Sequence, residues 1–427
     1  MMIMKRLLLL SIFIFPFITG CEASKPEAVD DPEETGEVDV LTPNERFDIK
    51  LTKAQQGFVT KGNSFAVKLL CEVMKEEKES FMISPLSLEY ALAMLCNGAA
   101  GTTQTEILNN LGFAAGEMAE VNEFCKYLTK ALYEADNSVK LNLANALVAN
   151  TAFAHLKPAY VSALENWYDA LIKGFDFRTE NAVALNYINE WAKEQTYGMI
   201  PSVLPVLDSA TYLVLMNALY FKGAWNSKNE FDKKNTKSGD FTLADGKKAK
   251  VDYMNQESMM FYGYDNSCQM VSLPYGNGAF AMDIILPHEG VTVGEVAESL
   301  KADYFKLMPE DKNVKLKLPI FETENNIELN KILTAMGINC IFDLKKADFT
   351  QMTDDPVFVS RVFQKTKIKV NEKGSEAAAV TVIVMETSTG LEFTPPPVPE
   401  FYATRPFIYS IRETSTNTIL FMGVFAG

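Results

Sequence analysis

The sequence predicts a mixed α+β domain, and three observations carry that expectation. Leu88, Ala91, Leu92 and Leu95 recur at helical spacing, with Ser87 as a candidate N-cap and Gly98 as a stop. Residues 212–221 (YLVLMNALYF) and 279–286 (AFAMDIIL) are nearly continuous apolar runs of strand length, as strands covered on both faces are. Strands and helices alternate only irregularly, which separates this chain from a wound parallel sheet.

Composition sets the frame for those elements. Of 427 residues, 48% are hydrophobic and 22% charged, so a large core can be buried. From about residue 50 onward there is no internal repeat, and no second linker before the C-terminal loop region, so one large domain is expected. The formal net charge is −15, which argues against a nucleic-acid partner. Only His155 and His288 are present, far apart and without ligand-like neighbours. A His-rich metal site and a His-dependent triad are therefore not expected. No Gly-x-Ser-x-Gly, P-loop, Cys-x-x-Cys or His-Glu-x-x-His occurs, so neither an enzyme nor a cofactor is expected.

Taken in order, residues 1–20 read as an export signal: Lys5 and Arg6, an apolar run over 7–17, then small residues up to Cys21. The run is too short to span a bilayer comfortably. Ile18-Thr19-Gly20-Cys21 resembles the bacterial lipobox, which implies lipidation at Cys21; a plain secretory signal containing Cys21 is the alternative. Residues 21–50 follow as an acidic, flexible tether, with eight acids between Glu22 and Asp39 and prolines at Pro26, Pro32 and Pro43. The globular domain is expected over 51–427. Its Cys71, Cys96, Cys125, Cys268 and Cys340 show no close pairing, so no disulfide framework is expected. The localisation implied is exported and held to a cell envelope by lipid alone, with surface exposure as one option.

The informative stretch lies near the end. Residues 380–384 are rich in β-branched residues and would make a good strand, yet Pro395-Pro396-Pro397-Val398-Pro399 follows closely. On a period-2 strand Glu376 and Glu386 share one face; Ser375, Ala377, Ala379, Thr381, Ile383 and Met385 share the other. One face is free of charge and its first half is small. Gly374 could act as a hinge. By composition alone the stretch reads equally as an edge strand entering a Pro-rich surface loop.

Glu372-Lys373-Gly374-Ser375-Glu376-Ala377-Ala378-Ala379 resembles the proximal hinge of the serpin family, protease inhibitors that act as suicide traps. Ser84-Pro85-Leu86-Ser87 with Gly98-Ala99-Ala100-Gly101-Thr102-Thr103 resembles the family's second helix and its sequel. Ile188-Asn189-Glu190-Trp191 with Thr196-Tyr197-Gly198 is similar to the helix that crosses the main sheet, and the block from Asn217 to Trp225 to that sheet's central strand. Arg405-Pro406-Phe407 and Leu420-Phe421-Met422-Gly423 are similar to the terminal strands. These blocks stand in family order from about Phe65 to Gly423.

The resemblance implies three β-sheets, eight to nine helices and an exposed reactive loop that a protease cuts and that then inserts into the main sheet. Glu372, Gly374, Ser375, Ala377, Ala378 and Ala379 would form the hinge, Ser84, Ser87 and Asn217 the shutter, and Trp225 the breach where insertion begins. Plain core packing is the alternative role for the last four. Family spacing from Glu372 puts the reactive bond between Ser388 and Thr389. Val384, Thr387 and Ser388 suit an elastase-like protease, whereas a shift to Leu391 or Phe393 suits a chymotrypsin-like one. No catalytic residue, cofactor or metal is implied, and a monomer is expected. A non-inhibitory serpin-fold lipoprotein that binds a ligand or partner is the alternative. The chain departs from the family where Gln364 replaces a common shutter histidine, Ser80 a common asparagine, and Thr404 an amide or acid.

Overall fold

The computed structural model describes residues 42–308, 310–375 and 397–427. Helices fill the first part, as the spacing predicts: Lys53–Glu76, Pro85–Gly98, Gly101–Leu111 and Met118–Ala135. A capping box from Thr52 and Gln55 opens the first of them. The second begins one turn earlier than expected. Its cap is Ser84, whose Oγ accepts the Ser87 N–H, and Pro85 occupies the first helical position, where its missing N–H is harmless. Ser87 is therefore inside the helix and its hydroxyl is free for another partner. Four further α-helices complete the described set: Pro158–Tyr168, Asn181–Gln195, Val293–Ser299 and Asn330–Met336.

The strands form two hydrogen-bonded sheets among the described residues. One has nine strands and contains Phe280–Pro287, all eight residues of which are buried, as a strand covered on both faces should be. The third sheet implied by the resemblance is continuous with this one. Strand Lys248–Tyr264 is long enough to pair with Glu310–Pro319 over most of its length and with Cys268–Tyr275 at its end, which joins the two ladders.

The other sheet has six strands in the order Phe321–Glu328, Phe363–Asn371, Gly374–Ser375, Leu213–Ala224, Lys140–Asn150 and Leu171–Phe175. Helix Asn181–Gln195 crosses its outer face and buries Ala184, Ile188, Trp191 and Ala192 against Ala146, Val148, Val214, Met216 and Ala218. Strand Leu213–Ala224 is less covered than its apolar run suggests. Val214, Met216 and Ala218 are buried under the helix, but Leu213, Leu215 and Leu219 on the other face are only half-buried. A cleft of about 400 Å³ opens beside them, lined by Leu204, Leu207, Leu213, Leu215, Arg361 and Phe363.

The compact unit reaches further toward the N-terminus than residue 51. Of the expected tether, residues 42–50 lie against the domain: Ile49 is buried and its N–H donates to Ser415 Oγ at 2.9 Å, and Tyr127 OH donates to the Lys50 carbonyl at 2.8 Å. No described helix is long and apolar enough to cross a membrane.

Candidate functional site

The six-stranded sheet positions two clusters of the predicted residues. At its upper end the chain leaves strand Phe363–Asn371, turns through Glu372 and Lys373, and returns as the two-residue strand Gly374–Ser375. Ser375 pairs with Val370 on one side and Gly223 on the other; Gly374 pairs with Asn371 and Ala224. Among the described residues, Phe363–Asn371 and Leu213–Ala224 pair with each other nowhere. Among the described residues the hinge strand is their only shared ladder partner.

Only glycine fits at the start of that strand. Gly374 has φ +142°, a backbone region essentially closed to other residues, and a Cβ there would lie 2.2 Å from the Gly223 carbonyl oxygen and 2.7 Å from Ala224 Cα. The next residue is locked by burial. Ser375 is 1% exposed and its Oγ shares a 2.6 Å hydrogen bond with Tyr275 OH. Burial pushes the Tyr275 phenol well up, so this bond is between neutral groups at ordinary pH. The Tyr275 ring stacks on Trp225 with centroids 4.6 Å apart and planes 14° apart. Trp225 Nε1 donates to the Asn371 carbonyl at 2.9 Å, and the Trp225 N–H to the Lys373 carbonyl at 2.9 Å. Glu372 Oε1 accepts from Thr236 Oγ1 at 2.8 Å. Burial raises the nearby Glu230 carboxyl, with Lys373 acting in the opposite sense. The sheet thus grips the hinge through two backbone ladders, a stacked aromatic pair and one buried hydroxyl pair.

The second cluster lies lower on the same strands, six residues along from Gly223 at Asn217, about 20 Å away at strand rise. Ser87 Oγ donates to Asn217 Oδ1, Asn217 Nδ2 to Asn145 Oδ1, and Asn145 Nδ2 to the Tyr168 carbonyl at 2.9 Å. Ser84 Oγ donates to the Leu420 carbonyl at 2.9 Å. Gln364 closes the group: its Oε1 accepts the Ser84 N–H at 2.7 Å and its Nε2 donates to the Ser84 carbonyl at 2.9 Å.

That two-bond contact explains how glutamine serves where the family often has histidine. Strand Phe81–Ile83 is an edge of the nine-stranded sheet and, among the described residues, pairs only with Ile419–Phe425. Its open side would expose backbone groups in the core. Asn325 answers Met82 in the same way, accepting its N–H at 2.8 Å and donating to its carbonyl at 2.9 Å. Asn325 and Gln364 each place one side-chain amide where a neighbouring strand would place a peptide group. Thr366 Oγ1 adds a bond to the Met82 carbonyl at 2.7 Å. Ser80, the other departure, accepts the Ala426 N–H on its Oγ at 2.9 Å. Thr404 donates its N–H to the Tyr402 carbonyl at 2.8 Å and takes no part in either cluster.

The structure therefore brings Glu372, Gly374, Ser375 and Trp225 together, and separately Ser84, Ser87 and Asn217. Ala377, Ala378, Ala379, Ser388, Thr389 and Cys21 lie outside the described residues. Sequence reasoning missed Tyr275, Asn145 and Asn325. A usable signal existed for two of them: an asparagine inside a strand pattern must find a buried partner. Tyr275 gives no such sign.

Among the described residues no group of three or more His, Cys, Asp or Glu side chains is placed to hold a metal ion. The clusters hold no nucleophile paired with a base. The upper cluster holds the short strand Gly374–Ser375 in the sheet.

Comparison with known proteins fits this geometry. Residues 60–426 match the family model described as serpin (serine protease inhibitor). The chain is 35% identical over 370 residues to Iripin-8 of Ixodes ricinus, covering 84% of this chain and 91% of the relative. It is 33% identical over 358 residues to leukocyte elastase inhibitor A of Rattus norvegicus, covering 81% and 92%. The native-state crystal structure of Tengpin, a thermophilic serpin, superposes with TM-score 0.78 at 27% identity, covering 91% of this chain and 97% of that one. The structure of thyroxine-binding globulin with thyroxine gives TM-score 0.76 at 26% identity, covering 87% and 99%. The protein belongs to the serpin family, a family of protease inhibitors rather than enzymes.

Proposed function

We propose that the protein inhibits a serine protease as a suicide substrate, with the chain after Ser375 serving as bait and then as an added strand of the six-stranded sheet. One observation carries the reading: Gly374–Ser375 already stands as a strand between Leu213–Ala224 and Phe363–Asn371. Continuing that register residue by residue sets Ala377 between Phe221 and Ile368, Ala379 between Leu219 and Thr366, and Thr381 between Asn217 and Gln364. Glu376 falls between Lys222 and Lys369. The uncharged face thus meets the core and the charged position meets two lysines. Small residues meet the bulkiest neighbours first. Insertion as far as Leu213 adds about 35 Å of strand, supplies both flanking strands with a ladder, and covers Leu213, Leu215 and Leu219.

The protease needs only its own chemistry. Its serine attacks the carbonyl of Ser388, the bond to Thr389 breaks, and the nitrogen of Thr389 leaves with a proton. Loop insertion then carries the acyl-enzyme ester away and distorts the protease before water reaches the ester. Val384, Thr387 and Ser388 suit an elastase-like pocket, and a relative at 33% identity bears the name leukocyte elastase inhibitor. No Arg or Lys lies between Gly374 and Pro399, so a trypsin-like enzyme has no preferred bond there. Mixing the protein with an elastase-like and a chymotrypsin-like protease should give a complex that survives boiling in detergent. Mass spectrometry should find a released fragment that begins at Thr389. Clean loop cleavage with no complex across several such proteases would sink the reading.

Export and acylation at Cys21 would hold this inhibitor at an envelope surface, facing proteases from outside. The intact mass of the membrane-extracted protein should begin at Cys21 and carry acyl chains, and a water-soluble product without them would remove the anchor from the proposal.

A further inference from the structure

We infer that residues 42–50 are a strap that positions the hinge seat, with Asn44 as its buckle. Asn44 and Asn137 form a reciprocal pair: the Asn44 N–H donates to Asn137 Oδ1 at 2.8 Å, and the Asn137 N–H donates to Asn44 Oδ1 at 3.0 Å. Asn277 Nδ2 donates to the Asn44 carbonyl and to Asn44 Oδ1, both at 3.2 Å, and to the Ala135 carbonyl at 2.9 Å. The strap therefore ties the end of helix Met118–Ala135 to the turn at Gly276 and Asn277.

That turn is packed without slack. Asp136 is 2% exposed, and its carboxylate accepts the Asn277 N–H at 2.7 Å and Ser138 Oγ at 2.6 Å. A Cβ on Gly276 would stand 2.1 Å from that carboxylate. The Gly276 N–H donates to the Ala224 carbonyl at 3.0 Å, and its own carbonyl accepts Asn226 Nδ2 at 2.7 Å. One residue before the turn stands Tyr275, which stacks on Trp225 and bonds Ser375. A displacement at Asn44 thus reaches the first inserted residue through one turn and one side chain. A strap that holds Asn277 holds Tyr275 in register and restrains further opening of the sheet until the loop is cut. The segment that carries whatever precedes residue 42 onto the domain is, on this reading, also part of the insertion control.

The inference rests on the inhibitory reading above, and its test keeps the two apart. Asn44→Ala and, from the domain side, Asn137→Ala are made in the full chain, because both positions are peripheral enough for one of them to fold. Amide hydrogen exchange over residues 371–375 and over the rest of the domain is measured on the uncut and loop-nicked proteins. Loss of inhibition of an elastase-like protease is followed during incubation at elevated temperature. Losing this pair should speed hinge exchange and spontaneous inactivation about five- to tenfold in the uncut protein, leaving the nicked form and the initial stoichiometry unchanged. Faster exchange at 42–50 with none at 371–375 overturns the strap, as does a uniform rise across the domain. If no protease is inhibited even by the unaltered protein, the inhibitory reading falls, and hinge exchange alone still decides whether the strap acts on the seat.

Discussion

The upper and lower ends of the six-stranded sheet hold the same pair of strands by different means. At the hinge seat the link is backbone: Gly374–Ser375 completes a ladder on both sides, and Trp225 and Tyr275 cover it. At the shutter the link is made by side chains through the second helix: Ser87 bonds Asn217, which bonds Asn145, while the Gln364 amide bonds the Ser84 backbone. A backbone ladder is tolerant of side-chain identity but demands one conformation. A side-chain network is the reverse. The seat is therefore expected to fail on backbone geometry, and the shutter on loss of an acceptor or donor.

Gly374→Ala attacks the seat and should give the largest effect. The new methyl would overlap the Gly223 carbonyl, and alanine resists φ +142°, so docking of the hinge should lose roughly 3–4 kcal/mol. The expected outcome is a protein whose melting temperature rises much less after loop cleavage than the parent's, and which is cut as a substrate. An unchanged rise would mean that the seat adapts and that Gly374 is not what guards it.

Gln364→Ala attacks the shutter. Ser84 N–H loses its one partner among the described residues in a buried site, while the Ser84 carbonyl keeps the Leu88 N–H at 3.2 Å. One orphaned donor plus a small cavity should lower stability by about 2–3 kcal/mol, read from the urea midpoint at constant slope. Because the clusters stand about 20 Å apart on the strand, the Gly374 and Gln364 losses should add. Clear non-additivity would show that the two ends communicate and would redraw the comparison.

Tyr275→Phe sharpens it from within the seat. The ring stack on Trp225 survives, and only the hydroxyl bonded to Ser375 is removed. Leaving Ser375 Oγ buried without a partner should lower the unfolding free energy by about 1–2 kcal/mol, read from the urea midpoint at constant slope. A loss as large as that of Gly374→Ala would shift the weight of the seat from backbone to side chain.

How far these regions could be read from the sequence follows from the same distinction. A glycine ahead of small alternating residues is a local pattern, so Gly374 reads as a hinge candidate and Ser87 as part of a helix start, whereas the roles of Glu372, Ser375 and Ser84 come from the family resemblance. The seat itself is assembled over 100 residues of separation, from Ser375 to Tyr275, and nothing local to Tyr275 marks it. Residue type alone does not place the cap, because Ser84 and Ser87 both suit an N-cap. Pro85 decides between them, since only a cap at Ser84 puts the proline at the first helical position. The acidic composition ends at Asp39 and gives no boundary at residue 42, because the docking of Asn44 and Ile49 depends on partners at residues 137, 277 and 415. Long-range polar contacts of this kind leave no periodic trace.

A further effect, absent near pH 4 and growing with pH, bears on the helix that carries the shutter serines. Glu89 lies two residues past Ser87, and its carboxyl presses on helix Lys53–Glu76, where a Cβ on Gly62 would meet Glu89 Oε2 at 2.7 Å. Burial pushes this carboxyl up to about 8 from its ordinary 4.5. Cys125 and Tyr90 interact with it, and burial keeps both of them neutral as well. The folded protein thus retains a proton that the unfolded chain releases. This contribution is fully present below about pH 4.5, shrinks as the pH rises, and is lost as the pH passes 8. Glu89→Gln imitates the protonated acid at every pH. The parent and variant should therefore unfold alike near pH 4, with the parent falling progressively behind up to about pH 8 and by a constant margin beyond. Parallel curves from pH 4 to 9 would mean that the carboxylate finds solvent. A gap that also appears in the rate of hinge exchange would tie the shutter helix to the seat, against the independence that the additivity of Gly374 and Gln364 requires.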